Sequence, residues 1–171
     1  TQAYPRRHSD LMRRLETGGK FFPHASVAMR RDVVLSVGGY RTVVGRSEDH
    51  DLWLRLGEVG EISCVREPLI RLRKHGDGQL SDIDGGRPLL RDSIAGSTAH
   101  FIRIAGRADP LAGKQAPDFL DWISRKMTDD GIFERRATWY QLRTFFYDRP
   151  RWRFVAELLR TGMVLRLVRE R

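Results

Sequence analysis

The sequence predicts an α/β fold in its first half and a mostly helical extension in its second. Short strand-like runs alternate with segments of helical periodicity, and they occupy residues 26–29, 62–65 and 69–72. Turn-forming residues cluster at 84–88, where Pro88 suits the first position of a helix. Beyond that cluster only helical patterns occur, at 88–104, 117–127, 134–147 and 151–168.

The 171 residues suffice for one domain with a real core, and 40% hydrophobic residues with 31% charged ones argue against a disordered chain. Cys64 is the only cysteine, which excludes an internal disulfide and suits the reducing cytoplasm. No run reaches the roughly 18 apolar residues of a membrane span. Because Thr1 opens neither a signal peptide nor a usual start, we expect a fragment.

A short polar helix is predicted at 4–16, within the leading segment 1–20. After the first strand, a two-turn helix is predicted at 31–37. It ends at Gly38 and Gly39, because glycine enters the left-handed region at little cost.

An acidic helix at 47–59 is the most informative element, with Ser47 as N-cap and Gly60 as stop. Asp49 begins its apolar stripe, whose other members are Leu52, Trp53 and Leu56. A carboxylate there loses part of its water while the helix dipole favours its charge, which are the conditions for accepting a proton from a bound hydroxyl. Asp49 is therefore the candidate general base. The alternative is ordinary solvated capping, which we prefer for Asp51, a possible partner of Arg55.

The net charge of +9 is concentrated near the C-terminus, where residues 135–171 contain ten Arg and three acidic residues. Such a segment suits anionic lipid, nucleic acid or a substrate diphosphate, and it is equally typical of a solvated surface. The last predicted helix spreads apolar residues around most of its circumference. This distribution fits a core helix with outward-reaching arginines at least as well as a membrane-surface helix.

Four segments resemble, in order and spacing, the C-terminal half of a family 2 glycosyltransferase. They are HASVAMRR (24–31), VGGYR (37–41), EDHDLWLRL (48–56) and LIRLRKH (69–75). The resemblance covers residues 21–81. It implies that residues 21–84 form the acceptor-side half of a GT-A, Rossmann-like nucleotide-sugar transferase fold, followed by a basic helical extension at 85–171.

The resemblance also implies a reaction, the inverting transfer of a sugar from a nucleotide-sugar donor to an acceptor hydroxyl on a glycan, a lipid-linked molecule or a protein. In such enzymes the aspartate of the Glu-Asp motif, here Asp49, deprotonates the acceptor. Glu48 would orient the acceptor or the base, and Arg73 and His75 match a segment that lies near the diphosphate. Together with His24 these three are the substrate-binding candidates. A divalent cation, Mg²⁺ or Mn²⁺, is implied as well.

The chain departs from the family in lacking the donor half, because the metal-binding Asp-x-Asp and the nucleotide-binding strand normally lie far upstream of the Glu-Asp motif. The metal ligands are therefore unknown, and we expect this fragment to be inactive by itself. An alternative function is a non-catalytic arginine-rich helical module that binds anionic membrane or nucleic acid. Since no nucleic-acid motif is found, we expect no nucleic-acid partner. Peripheral contact with the inner face of the membrane stays open.

Overall fold

The computed structural model describes residues 4–16, 22–71 and 87–129. These residues contain five α-helices, α1 (His8–Glu16), α2 (Arg31–Ser36), α3 (Glu48–Val59), α4 (Arg87–Ile104) and α5 (Ala116–Asp129). Single 3₁₀ turns occur at His24–Ser26, Thr42–Val44 and Gly113–Gln115.

Helix α3 lies at the centre of this arrangement and packs against α1, α2 and α4, while α5 packs against α4. All seven residues from 50 to 56 are buried, although the helix carries three acidic residues in its first turn. One hydrophobic cluster joins α3 to α1, and its buried members are Met12, Leu15, Leu52, Trp53, Leu54 and Leu56. A second joins α4 to α5 and to the 3₁₀ turn at Thr42–Val44. Residues near the start of α3 are thereby fixed from several sides.

Small residues allow α4 to approach α3 closely. A Cβ atom added at Gly96 of α4 would lie 3.6 Å from the Cβ of Asp51 in α3, which is ordinary van der Waals contact. Ser93 and Ser97 of α4 are buried as well. None of the helices in the described ranges is long and apolar enough to cross a membrane.

The predicted α/β, Rossmann-like GT-A fold is wrong for the described part of the chain, which is helical and has no residue in a strand. Residues 26–29 begin inside a 3₁₀ turn, and residues 62–65 and 69–71 have no regular secondary structure. A strand needs a neighbour about 4.8 Å away, and none of the described segments supplies one. Val65 and Leu69 are accordingly 66% and 74% exposed.

The helices predicted at 4–16, 31–37, 47–59, 88–104 and 117–127 are confirmed as α1 to α5, with small differences at their ends. Gly60 follows α3 as predicted, and its N–H bonds to the carbonyl of Leu56. The helices predicted at 134–147 and 151–168 lie outside the described residues.

Candidate functional site

The first turn of α3 carries two half-exposed carboxylates, Glu48 and Asp49. The side chain of Ser47, at the N-cap position, forms no capping hydrogen bond. Asp49 takes over part of that role, because its Oδ1 accepts a hydrogen bond of 2.7 Å from the backbone N–H of His50. Its Oδ2 accepts no hydrogen bond from the described residues. One oxygen of Asp49 therefore keeps its capacity to accept a proton.

Two side chains from earlier segments contact each other, and one of them is close enough to feel the charge of these carboxylates. Nε2 of His24 and the hydroxyl of Tyr40 are 2.7 Å apart and share a hydrogen bond. Tyr40 is 44% exposed, and its pKa is raised by burial and by the negative charges of Asp49 and Glu48. Three segments that are separate in the sequence thus meet at one partly exposed surface, which we call the α3 start site and define as His24, Tyr40, Glu48 and Asp49.

Aromatic rings connect the α3 start site to the core. The His24 ring lies 5.5 Å from the Tyr40 ring and meets the ring of Trp53 edge-on at 6.0 Å. Trp53 is only 2% exposed and packs against Phe22, with ring centroids 4.5 Å apart. The surface ring of Tyr40 therefore rests, through His24, on side chains that cannot move freely.

The turn that precedes Tyr40 is held by Arg55, a buried residue of α3. Two guanidinium nitrogens of Arg55 donate hydrogen bonds to the backbone carbonyls of Val37 and Gly39. Gly38 and Gly39 have φ angles of +82° and +66°, in the left-handed region that favours glycine. The double glycine lets the chain turn sharply after α2, and Arg55 fixes the two carbonyls on either side of that turn.

Asp51 orients the guanidinium of Arg55. Its Oδ2 accepts hydrogen bonds of 3.0 Å from Nε and 2.7 Å from Nη2 of Arg55, and Arg41 lies 3.7 Å from its other oxygen. The predicted pairing of Asp51 with Arg55 is therefore confirmed. The interpretation of Asp51 as a solvated cap is wrong, because its side chain is 0% exposed. Helix α4 covers that face of α3, with Gly96 directly against Asp51.

His50 faces the core and ties α3 to two other helices. Its ring lies 3.0 Å from the carbonyl of Leu15 in α1 and 3.2 Å from the hydroxyl of Ser93 in α4. A carbonyl oxygen only accepts, so Nε2 carries the proton and Nδ1 accepts from Ser93. Burial lowers the pKa of His50 to about 4, which keeps the ring neutral at pH 7. His50 is thus a structural residue rather than a base for an external substrate.

The far end of α3 is fixed to α4 by a group of charged side chains. The carboxylate of Glu58 accepts hydrogen bonds from His100, at 2.6 Å, and from Arg103, at 2.6 to 3.1 Å. Burial alone would raise the pKa of Glu58, but these hydrogen bonds outweigh it and lower the pKa to about 2. Burial also acts to lower the pKa of His100, whereas Glu16 and Glu58 outweigh it and raise that pKa.

Of the sequence-predicted site residues, His24, Glu48 and Asp49 lie together in the α3 start site. Arg73 and His75 lie outside the described residues. In the described ranges no group of three or more His, Cys, Asp or Glu side chains is arranged to hold a metal ion. The α3 start site therefore does not fit the implied divalent cation.

Tyr40 and Arg55 were not among the site residues chosen from the sequence. The available signal for Tyr40 was its place directly after the double glycine, in one of the four resembling segments. Arg55 was considered only as a helix partner of Asp51, because its contacts with Val37 and Gly39 depend on how α2 packs against α3.

Comparisons of this chain with protein-family models, with curated proteins and with solved structures found no match.

Proposed function

We propose that this chain belongs to an enzyme that transfers a sugar from a nucleotide-sugar donor to an acceptor hydroxyl with inversion, with Asp49 as the general base. The observation that carries the proposal is that His24 bonds to Tyr40 and lies against Trp53 of α3, while the charges of Glu48 and Asp49 act on Tyr40. These residues come from three of the four segments that resemble family 2 glycosyltransferases. The proposal concerns the chemistry of this site and assumes no Rossmann-like sheet.

The two acidic side chains that surround His50 differ in a way that supports the proposal. Asp51 is fully enclosed, and its oxygens face Arg55 and Arg41. Asp49 is half-exposed, and only one of its oxygens accepts a hydrogen bond from the described residues. The positive end of the helix dipole favours negative charge at this position. Of the two, Asp49 is thus the carboxylate that a substrate hydroxyl can reach.

In the proposed step the acceptor hydroxyl gives its proton to Oδ2 of Asp49 as its oxygen attacks the anomeric carbon of the donor. A new carbon–oxygen bond forms on one face of that carbon while its bond to the diphosphate oxygen breaks on the other, which inverts the configuration. The electron pair of the broken bond leaves with the nucleoside diphosphate. Asp49 then returns its proton to solvent. Glu48 and His24 would bind the acceptor.

The test uses the full-length protein and measures release of nucleoside diphosphate from a panel of nucleotide sugars, with and without glycan acceptors. Asp49→Asn is expected to lower turnover by a factor on the order of 10² to 10⁴, the usual contribution of a general base, while donor affinity stays unchanged. Asp32→Asn is the matched control, because Asp32 also lies in the first turn of a helix, is exposed, and pairs with Arg30, which is not a residue of this site.

Unchanged turnover in Asp49→Asn would remove this residue from the mechanism. The alternative function, a binding module, makes a different prediction because it depends on the arginines at 135–171. Binding to anionic vesicles or nucleic acid that falls steeply with salt, ignores Asp49→Asn and accompanies no turnover would favour that alternative.

A further inference from the structure

Arg55 bonds to its own helix and to the double-glycine turn while being only 3% exposed. Two of its nitrogens bond to Asp51 on the same helix, and two reach the carbonyls of Val37 and Gly39. The guanidinium group is suited to this task, because its donors point in fixed directions from one plane. Arg55 therefore joins helix α3 rigidly to the double-glycine turn.

Tyr40 follows Gly39 directly, so the turn determines where Tyr40 lies. The hydroxyl of Tyr40 is held by His24, whose ring lies against Trp53 of α3, and the negative charges of Asp49 and Glu48 act on Tyr40. Because glycine has few steric restrictions, a double-glycine turn without further contacts can adopt many conformations. Without Arg55 the turn would lose its two hydrogen bonds to α3, and only the apolar packing of Val37 and α2 against the α3 core would remain.

We propose that Arg55 is a positioning residue for the acceptor: by holding the carbonyls of Val37 and Gly39, it keeps the Tyr40–His24 pair beside Glu48 and Asp49. This inference rests on the proposed function. Stability alone gives little reason for the Asp51–Arg55 pair, since buried ion pairs can often be replaced by apolar residues without loss of stability. An apolar replacement could not donate hydrogen bonds to the carbonyls of Val37 and Gly39, so it would not fix the geometry of the turn.

The principal test is Arg55→Lys in the full-length protein. Lysine keeps a positive charge for Asp51 but cannot donate to both carbonyls at once. We expect KM for the acceptor to rise by about tenfold to a hundredfold, as for a misplaced binding group. Hydrolysis of the nucleotide sugar by water, which needs Asp49 but no bound acceptor, should change less than about twofold. Arg31→Lys, at an exposed position of α2, is the matched control.

A second variant covers the case in which Arg55→Lys does not fold. The double variant Asp51→Leu/Arg55→Met removes the ion pair without leaving a buried charge unpaired, so its thermal stability should stay close to that of the wild type. It should show the same rise in acceptor KM. A folded double variant with the wild-type acceptor KM would overturn the inference.

A third measurement is independent of turnover and separates this inference from the proposed function. Ionisation of Tyr40, followed by ultraviolet absorbance as the difference between the protein and its Tyr40→Phe variant, should occur above the ordinary tyrosine range. In Arg55→Lys the pKa of Tyr40 should move back toward the ordinary tyrosine value, because the ring moves away from the carboxylates and becomes more exposed. If the wild type turns over no nucleotide sugar, the proposed function fails. The Tyr40 titration then decides by itself whether Arg55 positions Tyr40. An unchanged titration in Arg55→Lys would overturn the inference.

Discussion

His50 provides a direct test of which residues at the start of α3 support the fold and which remain free for chemistry. It lies next to Asp49 and would itself be a reasonable candidate base on residue type alone. Its ring is fully buried, with hydrogen bonds to the carbonyl of Leu15 and to the hydroxyl of Ser93. The perturbation is His50→Gln, because the glutamine amide can still donate to Leu15 but cannot take up a proton near neutral pH.

The expected effect follows from the pKa of His50, which burial lowers from 6.5 to about 4 in the folded protein. The unfolded chain therefore binds a proton on His50 before the folded protein does. Above pH 6.5 His50 makes no pH-dependent contribution, and as the pH falls toward 4 the folded state loses stability progressively. At about 1.4 kcal/mol per pKa unit, the whole shift amounts to about 3 kcal/mol.

The assay is urea unfolding of the wild type and of His50→Gln at several values between about pH 7.5 and pH 4. The difference in unfolding free energy between the two proteins should be constant above pH 6.5 and should shift by about 3 kcal/mol in favour of the variant by pH 4. Contributions of other groups appear in both proteins and cancel in this difference. Parallel pH profiles would refute the reasoning, because they would mean that water reaches the His50 ring in the folded protein.

Two further predictions concern the far end of α3 and the double-glycine turn. Glu58→Gln should cost about 3 kcal/mol of unfolding free energy at neutral pH, because His100 and Arg103 lose a shared carboxylate. The stability that Glu58 contributes is present above pH 4.5 and is lost as the pH falls toward its folded pKa of about 2. The unfolding free energy of the variant should therefore change less with pH over that range, and identical pH dependences from urea unfolding would contradict this. Gly39→Ala should cost about 1 kcal/mol through its φ of +66° alone, since no atom lies within 4 Å of the added Cβ. Gly96→Ala, in a helix and in ordinary contact with Asp51, should not destabilise, so equal melting temperatures of the two variants would argue against backbone strain at Gly39.

The helices were predictable because their signals are local. The N-cap position of Ser47, the acidic first turn and Gly60 all lie within or beside the helix whose ends they mark. The structure places α3 between those signals. Prediction of this helix therefore required no knowledge of what packs against it.

The strands failed for the opposite reason. Residues 62–65 have the branched and apolar character of a strand, but they have no regular secondary structure. Whether an extended segment becomes a strand depends on a second segment beside it, and the described parts of the chain pack helices together instead. The local pattern therefore predicted a strand where the described structure has none.

Burial around α3 was only partly predictable, because a helical wheel assumes one buried face. The wheel placed Asp49 on that face and left Asp51 on another. In the structure α1 and α2 cover one side of α3 while α4 covers the side that carries Asp51. Helix α4 begins at Arg87, far along the chain, and nothing within the sequence of α3 indicates its presence.

The burial of Asp51 changes the interpretation of the acidic first turn of α3. A carboxylate that is enclosed must be paired, and Asp51 is paired with an arginine that also reaches the turn before Tyr40. The neighbouring Asp49 is not enclosed, and its position relative to Tyr40 depends on that same arginine. In the proposed mechanism the two aspartates have different roles, because Asp51 positions Arg55 and the turn while Asp49 is the base. Asp49→Asn should then lower turnover without loosening the turn, whereas loss of Asp51 should loosen it, and this difference distinguishes the proposed base from the residue that supports the site.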